Sequence, residues 1–266
     1  MKSITFAVSK GGVGKSLMTA NVGTALAQKG KRVILVEGDP NQPLQKILGV
    51  SFSSDNIKLE DVVENDTEID NAVYHTDFDN LFLIPSGVSL QSYFELDPII
   101  FARKLSNLET DFMLIDVPFP LGKAAFLSLG ICEIFIPIIT EDEFVLCVES
   151  TIDTIRLGKY FLKSIPIGFI LNRIKRAESF TQDFVKDLEN LLEIPCITQI
   201  KENLKVSKSY GEVGSKEAFL AYKKLPESEF AKKIDEIATW LLNKEVKSEK
   251  KDAVALLREV IKPSKF

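Results

Sequence analysis

The chain has 266 residues, 45% hydrophobic and 27% charged, with 33 Lys+Arg against 38 Asp+Glu and a net charge of −5. That length suits one large α/β domain whose core needs neither disulfides nor metals, and the hydrophobic share excludes disorder as the main state. No apolar run reaches the ~18 residues of a membrane-spanning helix, and the start passes from a short strand-like run into glycines rather than into a signal peptide, so a soluble, cytoplasmic protein is expected.

The first element is a strand over Ser3–Val8, followed by Lys10-Gly11-Gly12-Val13-Gly14-Lys15-Ser16 and a helix over Ser16–Gln28. Glycines between a strand and a helix let the backbone wrap closely around phosphates with its N–H groups pointing inward. The helix N-terminus adds its partial positive charge to the same anion. Lys15 is placed to neutralise β- and γ-phosphate oxygens, and the Ser16 hydroxyl suits Mg²⁺.

A strand over Arg32–Glu37 runs into Gly38-Asp39-Pro40, and another covers Leu81–Ile84. After a helix over Gln91–Leu108 comes Phe112–Asp116, four apolar residues ending in a carboxylate. Such a strand delivers Asp116 to its C-terminal end, where open α/β sheets bind ligands. A helix over Gly122–Leu129, a strand over Ile134–Ile139 and a helix over Glu143–Leu162 follow. The pattern continues with a strand over Ile167–Asn172, a helix over Ser179–Leu192, a strand over Cys196–Ile200 and a helix over Glu227–Leu242. Alternation of nearly all-apolar strands with helices predicts a doubly wound, mainly parallel sheet covered on both faces.

The body therefore spans residues 1–243, with a charged linker over 244–251 and a last segment over 252–266. From Lys244 onward there are seven basic and four acidic residues, which leaves −8 on the body. In that last segment Ala253, Val254, Leu256, Leu257, Val260 and Ile261 fall within an arc of about 160° on a helical wheel. Two surfaces fit such a helix: a membrane, or the protein's own body or dimer partner.

Cys132, Cys147 and Cys196 lack metal-ligand spacing and read as core residues. His75, the single histidine, lies in a polar stretch, so histidine-dependent catalysis has almost nothing to work with.

The run KGGVGKS, with a lysine at position 10 as well as at 15, resembles the deviant Walker A motif of the MinD/ParA family of ATPases. The resemblance extends from Met1 to about Leu242 and implies an ATP- and Mg²⁺-dependent hydrolase that dimerises on ATP. It implies that Lys10 reaches the nucleotide of the partner subunit, that Lys15 is the Walker lysine, and that Asp39 positions water and the metal shell. Ser16, Asp39 and Asp116 form its implied metal set. Gly11, Gly12, Val13, Gly14, Lys15 and Ser16 form the nucleotide loop, and Asn172 and Arg173 the adenine corner.

Three departures stand out. Glu37 replaces the family's usual aspartate, and Leu17 a usual hydroxyl residue. Pro118-Phe119-Pro120 stands where a glycine N–H usually senses the γ-phosphate, with Gly122 two residues on. The cluster cysteines of nitrogenase iron protein and of iron–sulfur carriers are missing, as is an NKxD guanine motif.

The expected function is a MinD-like switch that positions cellular components, with an activating protein partner and peripheral attachment at the inner face of the membrane through residues 252–266. Two alternatives remain. One is a ParA-like ATPase on nucleic acid, which the acidic body suits less well. The other is a regulatory nucleotide-binding module that hydrolyses ATP slowly.

Overall fold

The computed structural model describes residues 1–8, 10–65, 67–87, 97–116, 128–176, 180–206, 220–245 and 252–261. Strand β1 (Lys2–Phe6) leads into helix α1 (Lys15–Gln28), then β2 (Val33–Glu37), α2 (Pro43–Leu48) and α3 (Leu59–Glu64). Next come β3 (Tyr74–His75), β4 (Leu81–Ile84), α4 (Pro98–Ser106), β5 (Phe112–Asp116), β6 (Ile134–Ile136), β7 (Ile138–Thr140) and α5 (Phe144–Arg156). The rest is β8 (Ile165–Pro166), β9 (Phe169–Ile174), α6 (Gln182–Leu192), β10 (Cys196–Lys201), α7 (Ala221–Lys224), α8 (Glu229–Asn243) and α9 (Ala253–Ile261).

The strands stack in the order β3-β4-β2-β5-β1-β6-β8, all parallel except β3. Pro137 interrupts the strand predicted over Ile134–Ile139 because it has no N–H for the ladder. Beyond it β7 pairs with β9, and β9 with β10. Strand β1 thus lies inside the sheet between β5 and β6, and β2, β5 and β1 bring their C-terminal ends to one rim.

Alternation along each strand explains the unbroken apolar runs. Val33 and Leu35 of β2, with Phe112 and Leu114 of β5, enter the core shared with α1 and α8. Ile34, Val36, Met113 and Ile115 face the opposite core with α3 and α4. Helix α1 is buried on nearly all sides and carries little amphipathic signal, which suits a helix enclosed between sheet and α8.

The C-terminal segment is helical over Ala253–Ile261 and packs against α4. Leu257 is fully buried among residues that include Leu105, Ile131 and Cys132, and Ala253 and Leu256 are buried with it. In this structure Ala253, Val254, Leu256 and Leu257 of the apolar stripe predicted from the sequence rest on the body, whereas Val260 is exposed. Among the described residues no helix is long and apolar enough to cross a membrane.

Candidate nucleotide-binding site

The turn from β1 into α1 needs backbone that only glycine adopts without strain. Gly12 has φ +74° and Gly14 φ +103°. A Cβ at Gly14 would fall 2.9 Å from Asn172 Nδ2, whereas one at Gly12 would meet nothing within 4 Å. The space over Gly12 is open, as a loop that cradles a ligand requires. Gly14 is the N-cap of α1 and offers no side-chain cap, so no N-cap side chain competes with an anion at the helix start.

A cleft of about 380 Å³ lies over this loop. Gly11, Gly12, Gly14, Lys15 and Ser16 line one side, Asp39, Asn172 and Arg173 another. Leu17, Ile200, Val206 and Phe230 add an apolar wall suited to a planar base. Val13 lies beneath the loop, 1% exposed.

Lys15 is buried, and its Nζ donates to the carbonyl of Lys10 at 2.8 Å. Burial draws its ammonium below the ordinary lysine value, opposed by the charges of Asp116 and Asp39. A phosphate placed against it would favour the charged form. Asp116 is 1% exposed at the end of β5, in register with Glu37 of β2. Asp39 is held in an Asx turn, where Oδ1 accepts from Asn41 N and Asn41 Nδ2 at 2.9 Å each. The Ser86 hydroxyl donates to its carbonyl at 2.9 Å.

Glu37 points elsewhere than the cleft. Its Oε1 accepts from Leu44 N at 2.6 Å and its Oε2 from Gln45 Nε2 at 2.8 Å, at the start of α2. Burial, assisted by Asp116 and opposed by the Gln45 hydrogen bond, pushes this carboxyl up to about 8.

Lys10 lies against the run Glu141-Asp142-Glu143 that precedes α5. Its Nζ donates to the carbonyl of Asp142 at 2.8 Å and pairs with Glu143 Oε2 at 2.9 Å. Burial acts to lower its pKa, but Glu143 and Cys147 together raise it above the ordinary value. Lys175 also pairs with Asp142, at 2.8 Å, and holds that carboxyl below its usual range.

On the opposite side the β9–β10 register slips between Leu171↔Gln199 and Ile174↔Lys201. This bulge carries Arg173 at φ +57°. Asn172 Nδ2 donates to the carbonyl of Val13 at 2.8 Å, and Arg173 Nη1 to that of Gly12 at 3.2 Å. Arg173 also meets Asp142 and Glu202, each at 3.4 Å. Both residues of the expected adenine corner thus brace the glycine loop.

The structure gathers Gly11, Gly12, Gly14, Lys15, Ser16, Asp39, Asn172 and Arg173 around one cleft, with Asp116 buried close by and Lys10 turned to its own chain. Pro118, Pro120 and Gly122 lie outside the described residues. Sequence reasoning missed Ser86, Gln45, Glu143 and the apolar wall; the acidic run at 141–143, directly after a buried strand, was a usable signal for Glu143. Ser16, Asp39 and Asp116 offer the oxygen donors that Mg²⁺ prefers, so the donor set fits that ion.

Known proteins give the same picture. A family model described as an AAA domain matches residues 1–164. An uncharacterized ATP-binding protein of Methanocaldococcus jannaschii is 36% identical over 93% of this chain and 91% of its own length. The chromosome-partitioning ATPase Soj of Treponema pallidum is 32% identical over 52% of this chain and 56% of its own length. The septum site-determining protein MinD of Pyrococcus horikoshii, solved with Mg-ADP, superposes with a TM-score of 0.76. It is 28% identical and is matched over 90% of this chain and 95% of that one. With the loop, the sheet order and these likenesses in agreement, the chain belongs to the MinD/ParA family of deviant Walker A ATPases.

Proposed function

We propose that the chain binds ATP with Mg²⁺ in the cleft over Gly12, hydrolyses it as a homodimer, and uses the cycle to switch its association with a partner or membrane, so positioning a cellular component. The observation that carries this reading is the convergence of buried Lys15 and Asp116 with half-buried Asp39, at the start of α1 and beyond the ends of β5 and β2, beside an uncapped helix start. The glycine loop and the N-terminus of α1 would hold the phosphates, with Lys15 countering their charge. Bound Mg²⁺ would supply further charge neutralisation, held by Ser16 and by Asp39 and Asp116. The Asn41 bonds fix one oxygen of Asp39 and leave the other for orienting water.

Lys10 supports the dimer reading. Its present partners are a carbonyl and Glu143, whose side chain is 64% exposed. Lys10 itself is 17% exposed, so the pair is half-open, and a phosphate on a second subunit would replace Glu143 as its anionic partner. Attachment to a membrane by α9 requires that helix to leave its seat on α4. The likeness to the chromosome-partitioning ATPase Soj favours a second reading, in which the cargo is chromosomal DNA.

Titration calorimetry tests the binding and light scattering the assembly. The wild type is expected to bind ATP and to dimerise with a non-hydrolysable analogue, and Lys15→Ala to do neither. A wild type that stays monomeric when saturated with the analogue refutes the dimer reading.

A further inference from the structure

We propose that Glu37 is a positioning residue for Asp39, acting through the first turn of α2 and the turn at Ser86, and takes no place in the metal shell. The proposal rests on the ATP hydrolysis put forward above.

Glu37 is fully buried at the end of β2, and both its oxygens are engaged. Besides its bond from Leu44 N, Oε1 accepts from Gln45 N at 3.4 Å. Helix α2 has no cap from its own N-cap residue, Gln42, which is left-handed at φ +56°. The carboxyl oxygens of Glu37 therefore do the capping, satisfying N–H groups that a helix start otherwise leaves unpaired.

From there the bonds return to Asp39. Gln42 Nε2 and Gln45 Nε2 donate to the carbonyl of Ser86 at 3.0 and 3.4 Å. Ser86 Oγ and Gln42 N each donate to the carbonyl of Asp39 at 2.9 Å. Glu60 secures the same turn from the other side, accepting from Gly87 N at 2.8 and 2.9 Å. The backbone of Asp39 is thus gripped by a closed ring of hydrogen bonds that starts two residues before it.

Reach matters in this ring, and charge does not. Aspartate at position 37 is one methylene too short to hold both Leu44 N and Gln45 Nε2. Glutamine has the right length: its oxygen accepts from Leu44 N, and its amide donates to Gln45 once the Gln45 amide turns over, which gives up the 3.4 Å bond to Ser86 and leaves Gln42 Nε2, at 3.0 Å, to hold that carbonyl. A metal-shell residue would behave the opposite way, tolerating aspartate and failing as glutamine.

Steady-state ATPase assays of the full chain, with ATP and Mg²⁺ titrated separately, decide between them. Glu37→Gln is expected to keep kcat within about threefold, and Glu37→Asp to lower it roughly tenfold or more through misplacement of Asp39. In both variants KM for ATP and the Mg²⁺ half-saturation stay at wild-type values. An inactive or Mg²⁺-hungry Glu37→Gln, or a fully active Glu37→Asp, overturns the proposal. Should Glu37→Asp not fold, Ser86→Ala decides, since it removes only the hydroxyl on Asp39: lowered kcat with unchanged KM supports the ring, and wild-type kcat overturns it. A wild type that hydrolyses no ATP would instead defeat the functional reading, and this proposal with it.

Discussion

The seat of α9 can be attacked from the body, leaving the helix itself intact. Gly130 lies among the helical residues 128–131, and a Cβ there would fall 2.9 Å from Leu257 Cδ2. Leucine at position 130 would fill the space that Leu257 occupies, while suiting its own helix better than glycine does. Fully burying one leucine contributes about 1.5–3 kcal/mol, so Gly130→Leu should weaken docking by roughly 10- to 150-fold. Hydrogen exchange of the amides of residues 253–260 reads this directly, since a seated helix is protected in proportion to its docking equilibrium. The core strands should keep their protection. Unchanged exchange across 253–260 would refute the claim that Leu257 against Gly130 holds the helix down. The same variant tests the membrane reading, because the apolar stripe of α9 cannot serve the body and a bilayer together. Sedimentation with anionic vesicles should rise as the helix is freed, and a freed helix that still does not pellet removes that reading.

Three further outcomes are expected. Gly14→Ala forces an L-residue to φ +103° and pushes against the Asn172 amide, so it should lose about 1–2 kcal/mol of stability and measurable nucleotide affinity; a calorimetric titration matching wild type would show that the loop tolerates a side chain. Lys10→Ala and Asp39→Ala should bind ATP normally yet hydrolyse none in a phosphate-release assay, and turnover at the wild-type rate in either would remove that residue from the chemistry. Because Glu37 holds its proton up to about 8 when folded, against an ordinary 4.5, its contribution to stability is complete below the ordinary value. It is lost as pH rises through that window, by up to ~1.4 kcal/mol per pH unit; denaturant melts should show this slope in the nucleotide-free wild type and not in Glu37→Gln, and equal slopes would refute it.

The strands and long helices were legible because burial on both faces leaves few options for runs such as Phe112–Asp116, and because the glycine loop between β1 and α1 has one evident use. Edges were less so: Pro137 splits a run that reads as one strand, and the last turn of the helix predicted over Glu143–Leu162 is a π-helical stretch, Leu157–Phe161, with Gly158 seated against Phe135. Helices α2 and α3 span six residues each, too short for a hydrophobic period to show. Most of the site residues announced by type and spacing line one cleft, while Val13 lies beneath the loop, Asp116 is buried close by and Lys10 rests on Glu143. What the sequence hid were roles that depend on distant backbone. Nothing in the word Glu37 says that its carboxyl group caps a helix seven residues on, and Ser86 looks like any loop serine until its hydroxyl meets the carbonyl of Asp39.

The extra residue in β9 has a consequence for how this pocket tolerates change. Consecutive side chains of a regular strand leave on opposite sides, so neighbours such as Asn172 and Arg173 should be unable to work together. The slip against β10 removes that restriction, and the two seize adjoining carbonyls, of Val13 and Gly12. The spacing between Leu171 and Ile174 is therefore under as much constraint as the identity of either residue. Deleting one position there takes away Asn172 or Arg173 itself, straightens the strand and leaves the glycine loop with a single hand on it, even in a protein whose KGGVGKS run is intact.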